Sequence, residues 1–362
     1  MFGVIVLATL LIGLVACAPS EARQEAEARG FRFVASHEEI VEKAKQEGTL
    51  KVASSADPAS IKVIKEQFST KYPFLKFDIV EISGTDPQQR FILEMKAGAA
   101  ADYDVLSVAD DFIPEYQPHL EKFDLLGMAQ QGVLQNLPVG MVDPDGRSMI
   151  SMAVQIGIVA YNKKLVPEGQ VPRVWEDLLK PEFKGRKMIT EIRPNTLAAL
   201  TPAKGEAWLQ DFATRLAAQE TVWARGNTRS GAALAAGEYA LHSATYYGST
   251  MRTIQRGATD LAVAIVEPVP VSLTHAQGIQ QGAKHPYAAL LFLEWMAGPE
   301  GQKIMEEVEP LKASIHSPGS STGKIVEGKQ ISVWGWKDLP RQARIQEMIT
   351  KAFGFPKAEL SG

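Results

Sequence analysis

Two short loops carry most of the side chains that could hold a small molecule. In one, Ser54-Ser55-Ala56-Asp57-Pro58 follows an apolar segment; in the other, Ser83-Gly84-Thr85-Asp86-Pro87 does the same. Asp followed by Pro is a helix-start pattern, because Asp caps free N–H groups and Pro presets the first turn. Asp86 and Gln89 also have capping-box spacing. A helix start of this kind favours an anion. Ser54, Ser55, Ser83, Gly84 and Thr85 are therefore candidate ligand donors, through hydroxyls and backbone N–H groups. Arg90, Arg193 or Arg229 would clamp the charge of a carboxylate or phosphonate-like anion. Asp57, Asp86, Asp110 and Asp111 oppose an anion unless two of them are spent as caps. The same aspartates suit a cationic amine such as a polyamine, with Tyr246 or Tyr247 offering a ring face. Ordinary strand-to-helix turns with good caps would look the same without any ligand.

Catalytic motifs are incomplete. His37-Glu38-Glu39-Ile40-Val41 begins like HExxH but has Val in place of the second His. Gly319 to Lys324 (GSSTGK) is one residue short of a P-loop, and Ile325 stands where Ser or Thr is required. There is no GxSxG elbow. The six histidines are scattered, and only His242 shares a segment with the tyrosines. These features do not point to an enzyme.

The elements that must position these side chains alternate. Segments 49–55, 77–83 and 103–109 read as strands, with helices at 60–72 and 88–98 between them. Further strands are expected at 151–162, 185–192, 237–247 and 261–273, the last interrupted by Pro268 and Pro270 and so demoted to an edge or crossing segment. Helices are expected at 204–218, across 286–308 with a break near Gly298-Pro299, and at 341–353. Such alternation predicts an α/β fold with a largely parallel sheet.

The chain has 362 residues, enough for two or three domains. Lys plus Arg number 38 against 42 Asp plus Glu, a formal charge of −4 that argues against nucleic acid as a partner. The one cysteine, Cys17, excludes internal disulfides and cysteine zinc sites. Residues 2–16 are apolar throughout, a length that fits the core of a signal peptide and falls short of a membrane span. Leu14-Val15-Ala16-Cys17 resembles the lipobox of bacterial lipoproteins, which implies cleavage after residue 16 and lipidation of Cys17. Residues 17–30 are then a polar tether, and the membrane is touched only through the lipid.

GIVAYNKKLVP (157–167), VWEDLLKPEFKGRKMI (174–189), LAAGEYAL (234–241), GAKHPYAALLFLEWMAGPEGQ (282–302) and FGFPKA (353–358) occur in the order found in extracellular solute-binding proteins of ABC importers. The chain resembles the branch that includes ferric-iron-binding proteins. The resemblance implies a periplasmic-binding-protein-like fold, with two α/β lobes joined by crossing strands and the ligand in the cleft between. Lobe one would be 31–150 with 270–362, and lobe two 151–269; the strands at 151–162 and 261–273 would be the crossings. It implies a monomer in the periplasm or at the cell surface, without a cofactor, that closes on a small solute and delivers it to permease and ATPase subunits. A ligand-sensing lipoprotein would use the same fold.

The ferric branch binds its metal through a pair of adjacent tyrosines, which falls on Tyr246-Tyr247. Its His position falls at Asp57 and its carboxylate at Asp110 or Asp111. Ferric iron is hard and suits oxygen ligands. Two conditions attach. Adjacent strand residues point to opposite faces, so both tyrosines converge only if the strand has ended, for which Gly248 is the signal. And Asp57 is free to bind a cation only if it does not cap its helix.

Overall fold

The computed structural model describes residues 21–82, 85–98, 102–185, 187–309 and 311–354. Ten strands are formed among these residues: β1 (Thr49–Ser54), β2 (Lys76–Glu81), β3 (Val105–Val108), β4 (Met149–Asn162), β5 (Met188–Glu191), β6 (Val222–Ala224), β7 (Leu241–Tyr246), β8 (Leu261–Ala264), β9 (Val269–Ile279) and β10 (Ile331–Trp334). Their order across the sheet is β2-β1-β3-β9-β4-β7-β5-β6, with β10 beside β9 and β8 beside β4. β1 pairs in parallel with β2 and β3, and β5 with β6 and β7. The centre is antiparallel, where β9 meets β3 and β4.

β4 and β9 connect the two bodies. Both are long and almost wholly buried, which is why they read as continuous apolar runs. β4 pairs with β9 from Met149 to Ile156 and with β7 and β8 from Gly157 onward. β9 pairs with β10 at Val269–Ser272 and with β3 at Ala276–Ile279. The second crossing is therefore 269–279, not 261–273. The apolar run breaks before Pro268, whose nitrogen cannot donate to a ladder, and its first part becomes β8. β9 is central despite Pro270.

The first lobe buries Leu50, Val52, Ile64, Phe68, Phe292 and Trp295 on one face of its sheet. On the other it buries Phe91, Leu106, Ile113 and Tyr116. The second lobe is built on Trp175, Leu178, Leu209, Phe212 and Leu241. Trp334, Ile345, Ile349 and Phe353 belong to that second core, so the closing segment packs on lobe two, where a 270–362 boundary would put it on lobe one. The reason is local: Ile345 and Ile349 lie one turn apart on helix Gln342–Ala352 and face helix Glu206–Ala217. Two helices, Pro286–Ala297 and Pro299–Glu307, break at Gly298 as expected. Within the expected tether, Glu21–Ala28 is a helix, and Ala26 is buried against the first core. Cys17 lies outside the described residues. No helix among the described residues is long and apolar enough to cross a membrane.

Candidate functional site

A cavity of about 500 Å³ lies where the carboxyl ends of β1 and β3 face those of β5 and β7 across the crossing strands. This is the crevice in which α/β sheets bind ligands. A cavity of about 560 Å³ on the outside of lobe one, lined by Leu137, Ala297 and His316, has no comparable convergence of charge.

The first loop contributes Ser55 and Asp57 but not Ser54. Ser54 is buried, and its Oγ accepts from Ala56 N at 3.2 Å, closing the turn. Ser55 Oγ lies 3.3 Å from Ser107 Oγ and 3.1 Å from His275 Nδ1. Asp57 stands at the cap position of helix Pro58–Lys71, yet its side chain makes no capping bond. Glu309 Oε2 stands beside the helix start, accepting from Asp57 N at 3.2 Å and Ser60 Oγ at 2.8 Å. Burial alone would raise the Glu309 carboxyl; the Lys312 ammonium at 2.6 Å outweighs it and holds the group down to about 2. A carboxylate of the chain itself thus stands beside the anion-favouring helix start and opposes an anion there.

In the second loop, Ser83 and Gly84 lie outside the described residues. Helix Thr85–Lys96 opens at Thr85, three residues earlier than expected, so Asp86 falls inside the first turn and not at the cap. Gln88 of this helix reaches the cavity, and its Oε1 accepts from Ala109 N at 2.8 Å.

Asp110 and Asp111 follow β3 in a tight turn and line the cavity. Burial and the neighbouring Asp111 charge push the Asp110 carboxyl up to about 8. Asp111 Oδ1 accepts from Gln342 Nε2 at 2.7 Å. Arg193, across the cavity, is also 3.5 Å from buried Glu191, whose Oε2 accepts from Gly226 N at 2.7 Å. Arg90 pairs with Glu94 in solvent, and Arg229 is exposed outside the cavity lining, so of the three candidate clamps only Arg193 is in place.

Tyr246 ends β7 and lines the cavity; its phenol is pushed up by burial and by the Asp110 charge. Tyr247 does not join it. The strand has ended, but a helix begins at once, Tyr247–Gln255, and Tyr247 packs on the cluster of Val154, Ile156 and Leu261. The two rings leave the backbone in different directions. His242, on the same strand, also misses the cavity: it is buried, its Nε2 has no partner, and burial lowers it to about 3.

Sequence reasoning missed Gln155, Glu191, Asn195, Asn227, His275 and Lys312, all in the cavity wall. Gln155 and His275 sit on the crossing strands, where no motif marks them. Among the described residues, no three His, Cys, Asp or Glu side chains lie close enough to hold a metal by themselves.

Residues 64–313 match the family described as bacterial extracellular solute-binding protein, and the chain belongs to it. It is 24% identical over 269 residues to an Fe(3+)-binding periplasmic protein of Serratia marcescens, covering 68% of this chain and 76% of that one. Two solved structures share the fold. One is the Trichodesmium protein IdiA (FutA) in complex with iron and citrate, with a TM-score of 0.66 and 17% identity over 84% of this chain and 99% of that one. The other is iron-bound HitA of Pseudomonas aeruginosa, with a TM-score of 0.61 and 19% identity over 84% and 99%.

Proposed function

We propose that this protein is the solute receptor of an ABC importer and that its cargo is ferric iron, bound between the lobes. The observation that carries the cargo is the meeting of Asp110, Asp111 and Tyr246 in one cavity. These oxygen donors come from both lobes; Arg193 acts on Asp110 and Tyr246, and Lys312 lies in the same cavity wall. The raised Asp110 carboxyl holds its proton at neutral pH, and a hard trivalent cation would displace that proton and compensate the carboxylate. Tyr246 holds its proton unless a metal compensates the phenolate. Tyr246 and Asp110 are the proposed ligands, with the free oxygen of Asp111 in reach of the same cavity. Tyr247 is not a ligand in this reading. Water or the chelator that carries the metal completes the coordination.

Capture is reversible and makes no covalent bond. The lobes close about β4 and β9, and the closed form is the one a permease with its ATPase would recognise. The protein is exported and acts as a monomer, held to the membrane by lipid on Cys17. The anion reading loses its support where Glu309 stands beside the helix start.

The test is a titration of the protein with ferric citrate, followed by the visible tyrosinate-to-iron charge-transfer band. A saturable coloured complex is expected, lost in Tyr246→Phe and kept in Tyr247→Phe. A colourless protein without a thermal shift overturns the iron reading; spermidine and small phosphonates are then titrated, since the same carboxylates suit an amine.

A further inference from the structure

We propose that Asp57 is a latch between the lobes and not a ligand of the cargo, and that Glu309 is the positioning residue that frees it. The inference rests on lobe closure, but not on the identity of the cargo.

An Asp immediately before a helix-opening Pro ordinarily spends its oxygens on the first N–H groups of the helix. Asp57 does not. Glu309, far along the chain, reaches that helix start and accepts from Asp57 N and from the Ser60 hydroxyl. It is buried and anchored by Lys312 Nζ at 2.6 Å. Its negative charge beside the helix start repels a second one from it. The Asp57 side chain is therefore left over, and it lies 3.5 Å from Arg252 Nη2.

That pair spans the cleft. Asp57 belongs to the loop after β1 of the first lobe. Arg252 rides on helix Tyr247–Gln255, which packs against β4, β7 and β8 of the second. The same helix begins directly after Tyr246, so the movement that brings Tyr246 to the cargo also brings Arg252 to Asp57. Asp57 beside a guanidinium is neutralised and offers a cation little. The side chains are 47% and 32% exposed, so the pair is screened and shifts the closed-to-open ratio only about two- to five-fold.

The experiment uses the full-length protein in detergent with Cys17→Ser, spin labels on Glu66→Cys and Glu238→Cys, and inter-label distances read with and without ferric citrate. Asp57→Lys and Arg252→Glu are each expected to lower the closed-to-open ratio at least two-fold, and the double reversal to restore it. The losses shrink in 1 M NaCl. Glu309→Ala lowers the ratio as well, because without the repelling charge the Asp57 side chain turns to cap its own helix, and Glu309→Asp retains it. The latch is overturned if the double reversal does not restore closure, or if the singles leave the ratio unchanged. It is also overturned if Asp57→Asn shifts the iron charge-transfer band, the mark of a ligand. The role of Glu309 is overturned if Glu309→Ala leaves the ratio at the wild-type value. A protein that binds no iron still reports its lobe distances, so failure of the cargo reading is seen separately.

Discussion

His242 makes the protein acid-labile in a way that one substitution removes. Its imidazole is buried beside the β4 and β5 strands, its Nε2 has no partner, and burial lowers it from an ordinary 6.5 to about 3. The unfolded chain takes up a proton on this residue below pH 6.5, and the folded chain does not until about pH 3. Stability is therefore full above pH 6.5 and falls as the pH falls toward 3. At about 1.4 kcal/mol per pH unit, the loss between pH 6.5 and pH 4 is about 3 kcal/mol from this residue alone. His242→Leu has no proton to bind and removes the unpaired Nε2, but it also removes Nδ1, which accepts from the buried Ala244 N at 3.4 Å, so at pH 7 it is slightly destabilising. Urea unfolding of both proteins at pH 7, 6, 5 and 4 measures the difference. The difference between the two stabilities should change steadily below pH 6.5, in the variant's favour, by about 3 kcal/mol between pH 6.5 and pH 4. Parallel stability curves over that range would refute the reasoning.

Asp110→Asn should raise the melting temperature of the cargo-free protein by an amount that grows from about pH 4, where the unfolded carboxyl ionises, to about pH 8, where the folded one does, and the gain should disappear below pH 4. The same variant should abolish the coloured ferric complex. Gly157→Ala tests the crossing: a Cβ there would meet Thr196 Cγ2 and the Pro270 ring, where β4 passes between the lobes. Overpacking of this kind costs about 1–3 kcal/mol, read by urea unfolding, and should also move the inter-lobe distances.

Much of the framework was legible in the chain. Apolar runs of the right length located β3, β4 and β7, whose residues are almost all buried, and the alternation of a strand with one exposed face located β2. The helix break at Gly298-Pro299 and the βα loops ending in Ser55 and Asp57 could be read because turn and cap chemistry is local. Asp110 and Asp111 were legible through the resemblance, as the carboxylate position after the third strand.

What was not legible depends on residues distant in sequence. Whether Asp57 caps its own helix depends on Glu309, 252 positions away, whose charge stands beside the same helix start. Whether Tyr247 joins Tyr246 is decided by the helix that starts at Tyr247 and by the apolar cluster that receives its ring. Arg252, His275 and Lys312 have no motif, and they matter only because β9 and the helix after β7 bring them to the cleft. The sequence by itself determined the alternating elements, the family and the loops that border the site, because local patterning and hydrophobic burial act on neighbouring residues. Only the tertiary structure decided which polar atoms remain unspent there, because that depends on every donor and charge the fold brings within a few ångströms.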